Sequence, residues 1–175
     1  PQYVHNYFEN AQLDGGRILV KKSETLLEAK PSVISTTFFS PFLVISFVSV
    51  LIVLMTLFDW RRQNRFKWLD IILFLTTGSI GVIVLLLWFA TDHSATAFNY
   101  NFLWAFAPNL FLVAAISKNK LTSGVIGYLK FLLLLLALMG LHTLTQVQVF
   151  TWALLPFCTA LAFRYVYLLR MNRKV

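Results

Sequence analysis

The stretch LDIILFLTTGSIGVIVLLLWFA, residues 69–90, decides the class of this protein, because Asp70 is its only charged residue. A helix needs about 20 mostly apolar residues to cross the roughly 30 Å hydrocarbon core of a bilayer. The whole chain contains 58% hydrophobic and 16% aromatic residues, whereas globular proteins contain about 45–50% apolar residues. The sequence therefore predicts an integral membrane protein and excludes an ordinary water-soluble domain.

Further apolar stretches on both sides of this one are also long enough, or nearly so, to span a membrane. The predicted spans are Ser40 to Phe58, Leu69 to Ala90, Phe98 to Ile116, Thr122 to Leu141 and Val149 to Leu169. Backbone groups that face lipid must be bonded within their segment, and Leu132 to Leu136 lacks the alternation of a membrane barrel. We predict an all-α fold, a polytopic membrane bundle of about five transmembrane helices, whose fourth and fifth spans can pair as a tight hairpin.

The chain is predicted to have two parts, residues 1–39 and the bundle of residues 40–175. The first part balances four cations with four carboxylates and is too short to bury much core alone. Helical spacing from Tyr3 to Ala11 and extended patterns at Arg17 to Lys22 and Thr25 to Ala29 suggest short elements there. Pro1 to Lys30 lacks the apolar core of a signal peptide. We expect an extracytoplasmic segment that ends a periplasmic domain missing from this sequence.

Basic residues mark one side of the predicted bundle. The second and fourth loops lack Lys and Arg, and the basic loops and tail carry Arg61, Arg62, Arg65, Lys67, Lys118, Lys120, Arg170, Arg173 and Lys174. The positive-inside rule places these loops and the tail in the cytoplasm and the N-terminus outside it. Anionic headgroups of membrane lipid explain the net charge of +8 without a nucleic-acid partner.

The charges within the spans have simple expected partners. Lys130 and Arg164 lie near cytoplasmic span ends, where a long side chain can extend to the membrane surface. Asp59 and Asp70 lie near the same side, and we expect them to pair with the basic residues of the first loop, Arg61, Arg62 or Arg65. A proton path would need polar groups that continue through the span. The stretch from Ile80 to Phe89 supplies none, which argues against a transporter or channel.

A short polar stretch between the second and third spans is the best functional pointer. We predict an outer polar lip in which Asp92 orients His93, while asparagines donate hydrogen bonds to a headgroup or a periplasmic domain. Its predicted members are Asp92, His93, Asn99, Asn101, Trp104 and His142, with Gln146 and Gln148 beside them. The alternative is structural: Asp92 and Asn99 cap helices, and Trp104 belongs to the aromatic belt of the membrane interface.

The sequence offers little for catalysis or metal binding. Cys158 is the only cysteine and lies in an apolar span, which disfavours a reactive thiolate. The sequence has no glycine-rich phosphate loop and no His-Glu-x-x-His metal motif. We therefore assign no catalytic residue, no metal ligand and no cofactor to this chain.

Two other function classes have some support. His93 and His142 both lie on the predicted outer side, and paired histidines can ligate a b-type haem, although both fall at span ends. Small residues between Thr76 and Gly81 suit close helix contact, either within the bundle or with a partner chain. The second option corresponds to a non-catalytic membrane subunit of an envelope complex.

Several motifs together resemble a known family. They are Asp70 to Phe74, Thr77 to Gly81, Leu87 to Thr96, Asn99 to Pro108, Pro1 to Val4, Gly16 and Leu19-Val20. Thr91-Asp92-His93 followed by Asn-x-Asn-x-Leu-Trp is the most specific combination. The chain resembles the C-terminal membrane region of a bacterial envelope family, common in Bacteroidota, whose periplasmic domain is similar to that of Lnb-type lipoprotein N-acyltransferases.

The resemblance implies an architecture and an activity for the parent protein. It implies a signal peptide, a periplasmic cysteine–histidine acyl-transfer domain, and then this bundle as the inner-membrane anchor. In that family an acyl chain would move from the diacylglyceryl group of a lipoprotein to its N-terminal amine, through a thiolate and a histidine base. No position in this chain matches the catalytic motifs. The implied partners are membrane lipid, the missing periplasmic domain, and a lipoprotein substrate or envelope subunits.

Overall fold

A computed structural model describes residues 11–13, 16–18, 20, 40–91, 98–148 and 150–172. Contacts divide the chain into two units, Pro1–Thr37 and Phe38–Val175. In the first unit, β1 (Gln12–Leu13) pairs antiparallel with β2 (Arg17–Ile18), and Gly16 takes a φ of 75° in the turn. The extended pattern predicted at Arg17 is present for two residues, whereas most of the predicted Tyr3 to Ala11 helix and all of Thr25 to Ala29 lie outside the described residues.

The second unit is a bundle of α-helices. They are α1 (Pro41–Arg62), α2 (Lys67–Phe89), α3 (Asn109–Ile116), α4 (Ser123–Leu144) and α5 (Leu154–Asn172), and a 3₁₀ turn at Tyr100–Leu103 precedes α3. Four of the helices, all except α3, are long and apolar enough to cross a membrane. The prediction of an all-α membrane bundle is confirmed.

Local sequence sets where α1 begins and ends. The Ser40 hydroxyl accepts a hydrogen bond from the Leu43 amide at 3.3 Å, and Pro41 occupies the first turn. Proline is favourable there because the first-turn amides have no partner within the helix. The helix ends at Gln63, whose φ of 51° turns the chain sharply towards α2. The predicted start at Ser40-Pro41 is correct.

The core lies between the helices, and large apolar side chains also cover the outside, as expected for a lipid-facing surface. The packing of α1 against α5 is the most extensive contact in the bundle, and α4 packs on α5 as the predicted hairpin. Phe74, Leu129 and Leu161 are buried at the centre. The first and last helices are thus neighbours, which brings distant parts of the sequence together.

The third predicted span, Phe98 to Ile116, is not one continuous helix, and that part of the prediction is wrong. Only Asn109–Ile116 is α-helical, and its eight residues span about 12 Å, less than half of a hydrocarbon core. Pro108 is one physical reason, since proline lacks an amide hydrogen and disfavours helical geometry at Ala107 before it.

The broken segment nevertheless runs from one end of the bundle to the other. At one end, the Tyr100 amide donates to Gln148, just beyond the end of α4. At the other end, Arg65 donates to the carbonyls of Ile116 and Lys118 beside the start of α2. The described residues therefore form five crossings, four by long helices and one by a 3₁₀ turn, an irregular stretch and α3.

Two glycines of α2 make room for this irregular backbone. A Cβ at Gly78 would lie 2.8 Å from the Leu110 amide nitrogen, and a Cβ at Gly81 would overlap the Ala105 carbonyl and the Ala107 amide. Ala105 is completely buried, which fits the rule that irregular backbone at membrane depth must be covered by protein. The small-residue face thus serves a contact within the bundle, while Thr76 and Ser79 of the same stretch are exposed.

Candidate functional site

Polar side chains gather at three levels of the bundle. We call the set at the end with few cations the loop cluster; its members are Asn99, Tyr100, Asn101, Trp104, His142 and Gln148. The Asn99 Oδ1 atom accepts from the Asn101 amide at 3.1 Å and from Asn101 Nδ2 at 2.7 Å. Asn101 Oδ1 accepts from Trp104 Nε1 at 2.9 Å. These asparagines therefore bond mainly to their own turn, and Asn99 caps it, as the structural alternative predicted.

The loop cluster joins two loops that are far apart in the sequence. The Tyr100 amide donates to Gln148 Oε1 at 2.8 Å, and the Tyr100 ring meets the His142 ring edge-on at 4.7 Å between centroids. The His142 Nδ1 atom is buried and has no hydrogen-bond partner among the described residues. Because an unpaired buried nitrogen is costly, His142 is the group of this cluster best placed to take a further partner.

The structure brings part of the predicted lip together. Asn99, Asn101, Trp104 and His142 lie at the same end, whereas Asp92 and His93 are outside the described residues. The Trp104 ring makes a T-shaped contact with the Phe157 ring of α5 at 5.7 Å between centroids, so Trp104 packs against the bundle. The Asp92–His93 pair and the paired-histidine haem site remain predictions.

The second polar level is a buried triad in the middle of the bundle, which the sequence analysis missed. Asn109 Nδ2 donates to the Thr77 hydroxyl at 2.8 Å, and the Tyr128 hydroxyl donates to Asn109 Oδ1 at 2.6 Å. Thr77 in turn donates to the Leu73 carbonyl. The triad links α2, α3 and α4 at the break in the third crossing. In the sequence, the only signal of this triad was Asn109, a polar residue directly after Pro108.

The third level is a buried charge network at the cation-rich end, formed by Asp59, Arg65, Asp70 and Arg164. Arg164 is fully buried, and its Nε donates to Asp70 Oδ1 at 2.7 Å while Nη1 donates to Asp59 Oδ2 at 2.7 Å. A second contact from Nη2 reaches Asp70 Oδ2 at 3.2 Å. One guanidinium of α5 thereby joins the end of α1 to the start of α2.

Arg65 completes the network. Its Nε donates to Asp70 Oδ2 at 2.7 Å, and its other nitrogens donate to the carbonyls of Ile116 and Lys118. The last carbonyls of a helix lack partners within it and favour a nearby cation. Arg65 therefore fixes the end of α3 to the start of α2.

Two expectations about these charges need correction. Arg164 does not extend to the membrane surface, because two carboxylates hold its guanidinium inside the bundle. Of the expected pairs, Asp70 with Arg65 is correct, whereas Asp59 pairs with Arg164 and with none of the first-loop cations. The sequence signal for these contacts was the depth of Arg164 within its predicted span, which lets its side chain reach both carboxylates.

The contacts of the charge network suit a structural role. Two guanidinium groups offset two carboxylates, and Asp59 also accepts a hydrogen bond from the Phe66 amide. Burying paired charges this way leaves no free acid or base, and loss of one partner leaves an uncompensated charge. The network can lock helix ends together, and it offers no group for acid–base catalysis.

The fold and these three polar levels define the class of protein. It is a polytopic helical membrane domain with five crossings, whose cation-rich end is held together by a buried charge network. A family model described as the Lnb transmembrane domain matches residues 33–175. The chain belongs to this family, as the sequence motifs had indicated. No curated protein and no solved structure matches the chain.

Proposed function

We propose that this chain is the membrane-anchor bundle of a periplasmic acyltransferase-like protein that acts in the N-terminal acylation of bacterial lipoproteins. The family match over residues 33–175 is the observation that carries the proposal. In this proposal the cation-rich end faces the cytoplasm of a bacterial inner membrane, because basic loops are retained on that side. The loop cluster then lies at the periplasmic surface, beside the catalytic domain.

The geometry of the loop cluster supports a role in positioning. Two loops are tied together through Tyr100, Gln148 and His142, which makes a defined surface at one end of the bundle. The chemistry itself belongs to the parent's periplasmic domain, where a thiolate takes the acyl group from a glyceryl ester and passes it to an amine. The bundle holds that domain at the depth of the ester carbonyls.

Reconstitution of the full-length parent protein tests this proposal. The protein is placed in liposomes with a synthetic diacylated lipopeptide whose N-terminal cysteine amine is free. We expect mass spectrometry to show one acyl chain transferred from the glyceryl group to the amine, giving the N-acylated lyso product. A lipopeptide of unchanged mass, with folded protein in the liposomes, would contradict the proposed activity.

Substitutions in the loop cluster test the positioning role separately. His142→Leu removes the imidazole without breaking any side-chain hydrogen bond found among the described residues, whereas Asn101→Ala also removes two bonds that shape the turn. We expect His142→Leu to slow acyl transfer several-fold at unchanged protein level. His93→Ala tests the neighbouring predicted member, and exposed Thr145→Ala serves as the control. If both histidine variants transfer the acyl chain at the wild-type rate, the predicted lip has no role in the mechanism.

The second candidate function, a non-catalytic subunit of an envelope complex, has less support. Its main argument was the small-residue face of α2, and Gly78 and Gly81 of that face pack against the third crossing. We therefore retain the acyltransferase anchor as the proposed function.

A further inference from the structure

A cavity beside the buried charge network has a polar and an apolar part. Its volume is about 500 Å³, and it lies along the end of α1 and the loop that leads to α2. The apolar part is lined by Leu54, Met55 and Phe58, with Phe66 at the side, and the polar part by Asp59, Arg62, Asn64 and Arg65. This volume falls within the range of about 300–1,000 Å³ typical of small-molecule sites.

The polar part of the cavity carries uncompensated positive charge. Among the bundle residues that the structure describes, Asp59 and Asp70 are the only carboxylates, and both are bound by Arg164 or Arg65. Arg62 is exposed and has no carboxylate partner in that part of the chain; its guanidinium lies over the Phe58 ring at 4.2 Å. The cavity is therefore complementary to an anion.

The charge network holds the polar wall of the cavity in place. The Phe66 amide donates to Asp59 Oδ2 at 2.9 Å, and the Phe66 carbonyl accepts from Arg164 at 3.3 Å. The Asn64 carbonyl accepts from the Tyr167 hydroxyl at 3.3 Å. Because the loop is fixed on both sides, a ligand that binds between Arg62 and Asn64 loses little free energy in ordering it.

We propose that this cavity binds one anionic glycerophospholipid from the leaflet at the cation-rich end. The phosphate lies against the Arg62 guanidinium and the side-chain amide of Asn64, and an acyl chain lies along Leu54, Met55 and Phe58. A guanidinium presents several donors in a planar fork that matches phosphate oxygens. A zwitterionic lipid brings a cation close to Arg62, and free phosphate leaves the apolar part empty, so neither satisfies both parts of the cavity. The proposal is independent of acyl transfer.

Native mass spectrometry of the delipidated full-length protein tests the proposal. The probes are phosphatidylglycerol, phosphatidylcholine as the zwitterionic control, and inorganic phosphate as a competitor. The variants are Arg62→Gln and Arg61→Gln; Arg61 is exposed and positively charged like Arg62 but does not line the cavity. Circular dichroism establishes that both variants keep the helical content of the wild type.

We expect one phosphatidylglycerol to bind more tightly than phosphatidylcholine and to resist competition by inorganic phosphate. Arg62→Gln should weaken it about fivefold, the factor for one basic residue near anionic headgroups, while Arg61→Gln changes it less than about twofold. Equal weakening by the two variants would overturn the site, because it would mean that the whole basic rim attracts the lipid. Equal affinity for both lipids, or full displacement by phosphate, would overturn it as well.

Discussion

At the residue scale, Arg164 of α5 forms ion pairs with residues of α1 and α2 and so joins three helices. Its guanidinium bonds to Asp59 of α1 and Asp70 of α2 from within α5, and all three side chains are buried. Lone charges at membrane depth are expensive, but here each charge has an opposite partner at hydrogen-bond distance. Removing one partner therefore costs much more than the net value of the pair.

Arg164→Gln should lower the free energy of unfolding by about 3–5 kcal/mol, because Asp59 then stays buried without a cation and Asp70 keeps only Arg65. Unfolding in detergent, by heat and by denaturant, measures the change. Lys130→Gln is the control, since Lys130 is exposed and should change stability by less than about 0.5 kcal/mol. Adding Asp59→Asn to Arg164→Gln should restore part of the loss. Equal stability of the two single variants would show that the network does not stabilise the bundle.

The mid-bundle triad gives a smaller prediction. Tyr128→Phe removes the donor to Asn109 Oδ1 and should destabilise the protein by about 1 kcal/mol, the scale of a hydrogen bond between membrane helices. Tyr165→Phe is the matched control, because the buried Tyr165 forms no hydrogen bond within the described part of the chain. If both changes have the same effect, the triad contributes nothing beyond packing.

The third crossing is the distinctive feature at the element scale. Its first half has a 3₁₀ turn and irregular backbone, which α2 approaches closely at Gly81, while Gly78 of α2 approaches Leu110 in the first turn of α3. Irregular structure at membrane depth persists only where protein covers it. The two glycines of α2 therefore make room for this crossing, and Pro108, which lacks an amide hydrogen, lies directly before the start of α3.

Gly81→Ala should destabilise the bundle by about 1–3 kcal/mol, because its methyl group would overlap the backbone at Ala105 and Ala107. Gly140→Ala in α4 is the control: a Cβ there meets nothing within 4 Å, and alanine favours a helix over glycine. Detergent unfolding of the two variants compares them directly. A Gly81 variant as stable as the wild type would show that the approach is looser than described.

The sequence predicted the helical elements better than their interruptions and their polar contacts. Hydrophobic length located α1, α2, α4 and α5, because lipid imposes the same requirement on every span. Hydrophobic length alone could not show that Phe98 to Ile116 is not one continuous helix, since this stretch is apolar enough to be predicted as a membrane-spanning helix. Nor could it show that Arg164 turns inward or that Tyr128 reaches Asn109, because both depend on which helices are neighbours. The Asp92–His93 pair of the predicted lip lies outside the described residues.

At the scale of the whole molecule, the bundle has two chemically different ends. One end holds the charge network and several further Lys and Arg side chains, and the other carries the loop cluster, where the described residues have no Lys or Arg. Such asymmetry orients a polytopic protein during insertion. The proposed role in the envelope depends on this orientation, since the loop cluster must face the periplasm.

Thiol labelling measures the orientation. In residues 1–175 carrying Cys158→Ser, which leaves no cysteine in this stretch of sequence, we expect Gln146→Cys to react with a membrane-impermeant reagent in intact spheroplasts. Lys120→Cys should react only after the membrane is opened. The reverse pattern would invert the bundle and place the loop cluster in the cytoplasm, away from any periplasmic domain.

The central claim, that this bundle anchors a protein of lipoprotein N-acylation, is tested most directly by mass spectrometry of lipoprotein N-termini. Cells with the parent gene are compared with cells that lack it and with the deletion strain carrying the gene on a plasmid. The account predicts that the N-acylated lyso form disappears in the deletion strain and returns with the plasmid. Identical N-terminal masses in all three strains would contradict it.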